Sequence, residues 1–278
     1  MRQSDSRIPQ FLMKRPFPNL LTVALASGIF ASSALGQDTV TYDIEPTDGD
    51  SSEVNYEVES EGTESALGGA EFSLEAEYAS SYLYRGVNFG DNAGIGTAKL
   101  AVPLAEAALI TVGGRYVATG EDYSESQAFA ELQIPLGPLA VFFGYRYLSG
   151  DDFGLAGFGY DDRSEIGTMI GTTLFGVNVG AGYIFDTGLD GHYVEIKGSK
   201  KWDIYGPVAL RAMASASFGF DYQFDGSGLN NVGAGIELPV SISEFATLAP
   251  FVSASLAGDD LEIGEDAVVG GVSLKLTF

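Results

Sequence analysis

Residues 71–86 read Glu-Phe-Ser-Leu-Glu-Ala-Glu-Tyr-Ala-Ser-Ser-Tyr-Leu-Tyr-Arg-Gly, so apolar and polar side chains alternate along them. One face carries Phe72, Leu74, Ala76, Tyr78, Tyr82 and Tyr84, and the other carries Glu71, Ser73, Glu75, Glu77, Ser81 and Arg85. A period of two predicts a β-strand with one apolar and one polar face. The alternation outlasts the roughly 5–6 residues of a soluble-protein strand and approaches the roughly 9–11 of a membrane-crossing strand.

The same alternation recurs along the chain, with turn-forming residues between the segments. It predicts an all-β protein: a single transmembrane antiparallel up-and-down β-barrel of about twelve strands, with ten or fourteen as the alternative counts. An even count returns both ends of the barrel to the periplasmic side. The predicted strands span residues 70–86, 94–104, 108–119, 126–136, 139–148, 164–175, 177–187, 192–202, 207–222, 231–242, 246–257 and 267–278.

The connections between these segments alternate in length. Short ones lie near Glu106, Gly137, Gly176, Tyr205 and Ser243, and longer acidic ones lie near Asp91, Asp122, 151–163, Asp190, Asp225 and 259–266. Short periplasmic turns opposite longer external loops are typical of outer-membrane barrels.

Aromatic residues cluster at the predicted strand ends, which favours the same topology. Tyr and Trp prefer the two water–lipid interfaces of a membrane. The predicted external girdle contains Tyr82, Tyr84, Tyr116, Tyr145, Tyr147, Tyr183, Phe185, Phe218, Phe220 and Tyr222, and the periplasmic one contains Phe72, Trp202 and Phe278.

The first 68 residues divide into two segments that precede the predicted barrel of residues 69–278. Residues 1–36 combine four early basic residues, an apolar run from Leu20 to Ala34 and a small-x-small site before Gln37, which predicts a cleaved signal peptide. Residues 37–68 contain ten acids and no Lys or Arg, so we expect a disordered acidic periplasmic tether.

The composition excludes several functional classes. A net charge of -24 argues against nucleic-acid binding, because that binding depends on Lys and Arg neutralising phosphate. The absence of cysteine excludes disulfides, thiol nucleophiles and Cys-based zinc sites. The one histidine, His192, has no serine partner by spacing or motif, so we expect no enzymatic activity, no cofactor and no metal site.

Two motifs carry a resemblance to known families. The final strand places Val272, Leu274, Leu276 and Phe278 on one face and ends on an aromatic residue, so it resembles the assembly signal of bacterial outer-membrane barrels (porin-like proteins), which the barrel-assembly machinery reads. The motif Ser-x-Tyr-x-x-Arg-Gly at residues 80–86 resembles the first strand of a family of uncharacterised proteobacterial-type outer-membrane barrels. The resemblance implies a fold and an outer-membrane location, but no particular chemistry.

In such a barrel the polar faces point into the lumen, because a charge at the lipid midplane costs roughly 2–4 kcal/mol. Lys200 departs from the alternation, and we expect its side chain to extend to the interface. The predicted charged lumen residues are Glu75, Glu77, Arg85, Lys99, Arg115, Glu131, Arg146, Asp186, Glu195, Lys197, Lys201, Arg211, Asp221, Glu237 and Lys275.

The charged lumen favours a passive narrow pore for small hydrophilic solutes, and the acidic loops favour a preference for cations. Pairing of Glu75 or Glu77 with Arg115 or Arg211 would instead close the bore and make the chain a structural barrel whose loops or tether bind envelope components. A soluble sandwich is the third alternative, and it leaves the two aromatic girdles unexplained. The expected partners are outer-membrane lipid, lipopolysaccharide and the barrel-assembly machinery, while the oligomeric state stays open.

Overall fold

A computed structural model of the chain describes residues 69–104, 108–150, 162–222, 226–258 and 266–278. The predicted signal peptide and acidic tether lie outside these residues, as do most of the predicted acidic loops at 151–163 and 259–266. No helix in the described part of the chain is long and apolar enough to cross a membrane.

The described residues form thirteen β-segments that pair in one antiparallel sheet. They are β1 (Glu71–Tyr84), β2 (Val87–Leu104), β3 (Ala108–Ala118), β4 (Ser124–Leu136), β5 (Leu139–Gly150), β6 (Asp162–Leu174), β7 (Val177–Asp186), β8 (Gly191–Tyr205), β9 (Val208–Phe220), β10 (Ser227–Glu237), β11 (Val240–Ser243), β12 (Ala246–Ala257) and β13 (Ala267–Thr277).

The thirteen segments occupy twelve strand positions, because β10 and β11 both lie between β9 and β12. The sequence predicts one strand over residues 231–242, whereas Pro239 separates the two pieces. Proline has no N–H to donate to the sheet, which explains the interruption. The predicted twelve-stranded antiparallel barrel is confirmed, with this one strand divided in two.

The sheet closes because its first and last strands pair. Register partners of β1 and β13 include Glu75 with Lys275 and Tyr78 with Val272. Phe72 and Phe278 extend this pairing through two backbone hydrogen bonds, of 3.1 and 2.8 Å. Closure leaves no unpaired sheet edge, which a lipid environment requires of any strand structure.

The two faces of the closed sheet differ in chemistry. Large apolar side chains point outward and are exposed, among them Ile170, Ile196 and Val252. The residues that are buried inside include many small polar ones, such as Thr97, Thr111, Ser253 and Ser273. This distribution is the reverse of a soluble protein's and suits a barrel surrounded by lipid.

The outward aromatic residues form bands near both ends of the barrel. One band contains the exposed residues Tyr116, Tyr145, Tyr147, Tyr183, Phe218 and Phe220, and the other contains Trp202 and Phe278. We call these ends external and periplasmic, as the sequence predicts. The Lys200 ammonium lies 5.7 Å from the Trp202 ring centroid, so this charge stays at the periplasmic interface.

Three aromatic residues do not lie where the alternation predicts. Tyr82, Tyr84 and Tyr222 are fully buried, so their assignment to the external girdle is wrong. The predicted loop near Asp91 is also wrong, because β2 begins at Val87 and continues through this position. The corrections at Tyr82, Tyr84 and Asp91 concern the hairpin formed by β1 and β2, whereas Tyr222 lies beyond the end of β9.

We expect an arginine to be tolerated on the inner face of β8 but not on its outer face. Ile196→Arg places a guanidinium against the lipid midplane and should lower the free energy of unfolding by about 2–4 kcal/mol. Lys197→Arg, one residue along and on the inner face, should leave it unchanged. Urea unfolding in lipid vesicles, followed by the single tryptophan, measures both. Equal losses for the two variants would contradict the assigned faces.

Candidate functional site

The motif at residues 80–86 forms the tip of the β1–β2 hairpin. Arg85 and Gly86 are its two turn residues, with φ values of 51° and 85°. Positive φ at both central positions matches a type I′ turn, whose twist suits a two-residue hairpin. Gly86 adopts this backbone without penalty, whereas Arg85 pays a steric cost that its side-chain contacts must offset.

This hairpin bends inward at the external end of the barrel. The register between its arms slips between Ser81 and Leu83, and the opposite arm has positive φ at Gly90 and Asn92. A slip of this kind bends and twists a strand pair. Beyond the bend, the residues of the tip are buried: Tyr82, Leu83, Tyr84, Arg85 and Val87 are each at most 2% exposed.

Glu165 on β6 holds the tip from across the barrel. Its carboxylate accepts hydrogen bonds from the Tyr84 hydroxyl at 2.7 Å and from Nη2 of Arg85 at 2.8 Å. The Tyr222 hydroxyl, beyond the end of β9, donates a third. Since β6 is not a sheet neighbour of β1 or β2, these bonds cross the interior.

Arg85 also contacts β8, β10 and the residues that follow β9. Its guanidinium carbon lies 4.4 Å from the ring centroid of Tyr193 on β8 and 5.0 Å from that of Tyr222. Its carbonyl oxygen accepts a hydrogen bond of 2.7 Å from Nδ2 of Asn230 on β10. Burial disfavours the charged form, but attraction to Glu165 and the phenols raises the pKa of Arg85 above its ordinary value, so the side chain stays cationic.

A second carboxylate anchors the other side of the tip. Glu125 on β4 accepts hydrogen bonds from the hydroxyls of Tyr82 at 3.1 Å and Tyr123 at 2.9 Å, and from the amide of Gln127. The Tyr82 and Tyr123 rings are stacked with centroids 6.0 Å apart. The hairpin tip is therefore bound through phenols to β4 and to β6, two strands of the wall that are separated by β5.

The periplasmic half of the interior is arranged differently. Arg211 on β9 and Glu237 on β10 are register partners and form an ion pair of 2.7 Å, with 16% of each side chain exposed. Nearer the middle of the barrel, Lys197 and Glu195 on β8 approach to 3.9 Å and are also partly exposed. Each of these pairs joins residues of one strand or of two neighbouring strands, so both pairs run along the wall.

The remaining predicted lumen residues fall into three groups. Buried inside are Arg115, Glu131, Arg146 and Asp186, and partly buried are Glu75, Glu77, Lys99 and Lys275. Lys201 is exposed, with Arg211 as its register partner. Asp221 is also exposed; it lies beyond the end of β9 and accepts a hydrogen bond from the Gly226 amide, so it does not belong to the strand that the sequence predicts over 207–222.

Three residues that hold the hairpin tip are absent from the lumen residues predicted from the sequence: Glu125, Glu165 and Asn230. Glu165 could have been identified, because it lies in the predicted strand 164–175 and a charge on a membrane strand is expected to face the lumen. Asn230 falls between predicted strands and gives no comparable signal. Arg163, predicted in a loop, is buried on β6 and lies 3.6 Å from Asp186.

The single histidine belongs to the outer aromatic band. Nδ1 of His192 lies 2.7 Å from the Tyr183 hydroxyl, and its ring centroid lies 5.1 Å from that of Phe185. Across the part of the chain that the structure describes, no group of three or more His, Asp or Glu side chains is placed to hold a metal ion.

Comparisons with known proteins identify the fold. No family model and no curated protein matches the chain. Among solved structures, an outer membrane channel from Pseudomonas putida F1 is similar, with a TM-score of 0.50 and 9% identity over 75% of this chain and 95% of that one. The KdgM porin (TM-score 0.46, 7% identity, 75% and 99% covered) and the NanC porin (0.46, 10%, 74% and 98%) are also similar. At these identities the shared property is the barrel fold.

We expect the free energy of unfolding to fall at alkaline pH, because the phenol of Tyr123 is buried. Burial and the Glu125 carboxylate raise the pKa of Tyr123 above its ordinary value, so the unfolded chain releases this proton near pH ~10 while the folded chain keeps it. The contribution of this phenol to the free energy of unfolding is therefore complete below pH ~10 and is lost as the pH rises further.

Tyr123→Phe should therefore reduce the alkaline loss of unfolding free energy by up to about 1.4 kcal/mol per pH unit. Urea unfolding in vesicles at pH 9 to 12 measures the slope. An unchanged slope would contradict a buried, protonated phenol.

Proposed function

We propose that this chain is an integral outer-membrane β-barrel that acts as a passive narrow pore for small hydrophilic solutes. The observation that carries the proposal is the lining of the periplasmic half, where charged side chains are partly exposed and their ion pairs follow the wall. A hydrated, charged lining is suited to conduct polar solutes, whereas a structural core is filled with packed side chains.

The size of the barrel supports a bore. Twelve strands about 4.8 Å apart and tilted by about 40° give a backbone diameter of about 24 Å. Eight-stranded barrels are filled by their own side chains, and barrels of sixteen strands hold water channels. A twelve-stranded barrel lies between them, so local contacts decide how wide its passage is.

The outer surface supports the proposed location. Its apolar belt and aromatic bands suit lipid, and we propose contact with lipopolysaccharide at the external band and assembly by the barrel-insertion machinery through Val272, Leu274, Leu276 and Phe278. Delivery through a cleaved signal peptide is part of the same proposal. We further propose that the barrel has no enzymatic activity, because His192 is engaged with aromatic residues on the outer face.

Cation preference stays a prediction. It depends on acidic loop residues, and most of them lie outside the described part of the chain. The buried charges of the external half are close to balanced, with Arg85, Arg115, Arg146 and Arg163 facing Glu125, Glu131, Glu165 and Asp186.

The buried hairpin tip favours a second candidate, a closed structural barrel. Contacts from the tip to β4, β6, β8 and β10 obstruct the external mouth. The two candidates differ in whether solutes pass once this obstruction is removed.

Replacing residues 82–90 with Asn-Gly tests the pore directly. A two-residue Asn-Gly turn can join Ser81 to Asp91, which are register partners, and keeps the rest of the barrel. We expect discrete conductance steps in planar bilayers that exceed those of the wild type, because the tip no longer obstructs the mouth. Heat-dependent gel mobility confirms that each protein is folded. A folded, shortened protein without conductance steps would overturn the pore and support the closed barrel.

A further inference from the structure

We infer that the tip of the β1–β2 hairpin, residues 82–90, is a gate that Glu165 latches inside the external mouth. Its effect on conduction rests on the proposed pore, but the movement of the hairpin can be measured independently.

The tip is built to move as one unit. In the described residues, its backbone pairing joins its own two arms, as Leu83 with Asn88 and Tyr84 with Val87. The pairing of β1 with β13 ends at Ala79 and Gly271, and the Gly120 amide donates to the Asp91 carbonyl at the other arm. Swinging the tip outward therefore preserves the hydrogen bonds that close the barrel.

Hinge positions lie where the tip leaves the wall. One arm has the register slip between Ser81 and Leu83, and the other has Gly90, with φ of 136°, and Asn92, with φ of 57°. A Cβ added at Gly90 would lie 2.7 Å from Oγ1 of Thr119, so this close approach requires glycine. Hinges are typically a few residues at element boundaries that absorb backbone change.

Specific polar contacts hold the tip in place, in addition to the apolar packing of Tyr82, Leu83 and Phe89. Glu165 accepts hydrogen bonds from Tyr84 and Arg85, and Asn230 donates to the Arg85 carbonyl. Glu165 also carries the negative charge that directly contacts Arg85. Removing either charge of this buried ion pair leaves the other charge uncompensated, which destabilises the latched position of the tip relative to a released one.

Other charged groups surround this latch and do not replace Glu165. Arg146 and Arg163 lie near it and have the same sign as Arg85, so neutralising Glu165 leaves a cluster of positive charges. Asp186 approaches Arg163 at 3.6 Å and accepts hydrogen bonds from the Gly188 and Leu189 amides. Glu125 lies at the Tyr82 side of the tip. Glu165→Gln should therefore favour the released tip.

Thiol labelling measures the movement without relying on conduction. The chain has no cysteine, and Val87 is 2% exposed, so Val87→Cys introduces one buried thiol at the tip. We expect a membrane-impermeant maleimide to label it at least about tenfold faster when Glu165→Gln is added, which corresponds to a tenfold shift in the open population. Glu121→Cys, exposed outside the hairpin, should label equally in both backgrounds.

A matched pair of Tyr→Phe variants separates the latch from general loss of hydroxyls. Tyr84→Phe removes a hydrogen bond to Glu165 and should also speed labelling at position 87. Tyr145→Phe removes a hydroxyl that lies 2.9 Å from Ser164 on the outer face and should leave the rate unchanged. Tyr84→Phe keeps the ion pair, so it tests the latch even if Glu165→Gln does not fold.

The outcomes distinguish the gate from the pore. Faster labelling together with a higher open probability in bilayers supports the gate. Unchanged labelling in Glu165→Gln and Tyr84→Phe, with conduction by the shortened protein, overturns the gate and leaves the pore. Faster labelling without conduction in any folded variant supports release of the tip and overturns the pore.

Discussion

Closure of the sheet between β1 and β13 determines the rest of this structure. In lipid, an unpaired backbone amide or carbonyl costs several kcal/mol, so a sheet must join its own edges. The register that joins them places Glu75 opposite Lys275 and Tyr78 opposite Val272, and thereby fixes which residues face inward on both strands. Once the sheet is closed, alternate residues must face either lipid or a shared interior.

The interior has to accommodate every charge that lipid excludes. In the periplasmic half, neighbouring strands solve this by pairing Arg211 with Glu237 where both remain partly hydrated. In the external half, the charges are buried, and a buried charge is tolerated when it is paired and hydrogen-bonded. The hairpin tip supplies those partners: Arg85 and Tyr84 satisfy Glu165, and Tyr82 binds Glu125. The same contacts that stabilise the buried carboxylates obstruct the mouth.

The strand pattern could be predicted from the sequence because it follows from alternation and turn residues alone. Segments such as 139–148 and 246–257 agree with β5 and β12 to within two residues. Tyr82 and Tyr84 could not be placed by the same rule, because the slip between Ser81 and Leu83 breaks the two-residue period. A bulge leaves no clear trace in a single sequence, although the Arg85-Gly86 pair is a recognisable hairpin turn. The contacts of Asn230 and Tyr222 depend on where the tip lands, which is a property of the closed barrel.

The gate and the arrangement of the external half both depend on one contact, between Arg85 and Glu165 across the mouth. Solid-state NMR of the protein in lipid, with labelled arginine nitrogen and glutamate carboxyl carbon, measures it directly. We expect dipolar coupling between Arg85 and Glu165 that corresponds to hydrogen-bond contact and that disappears in Arg85→Lys. Absence of that coupling in the wild type, with the coupling of Arg211 to Glu237 retained, would show that Glu165 does not hold Arg85 and would contradict this arrangement.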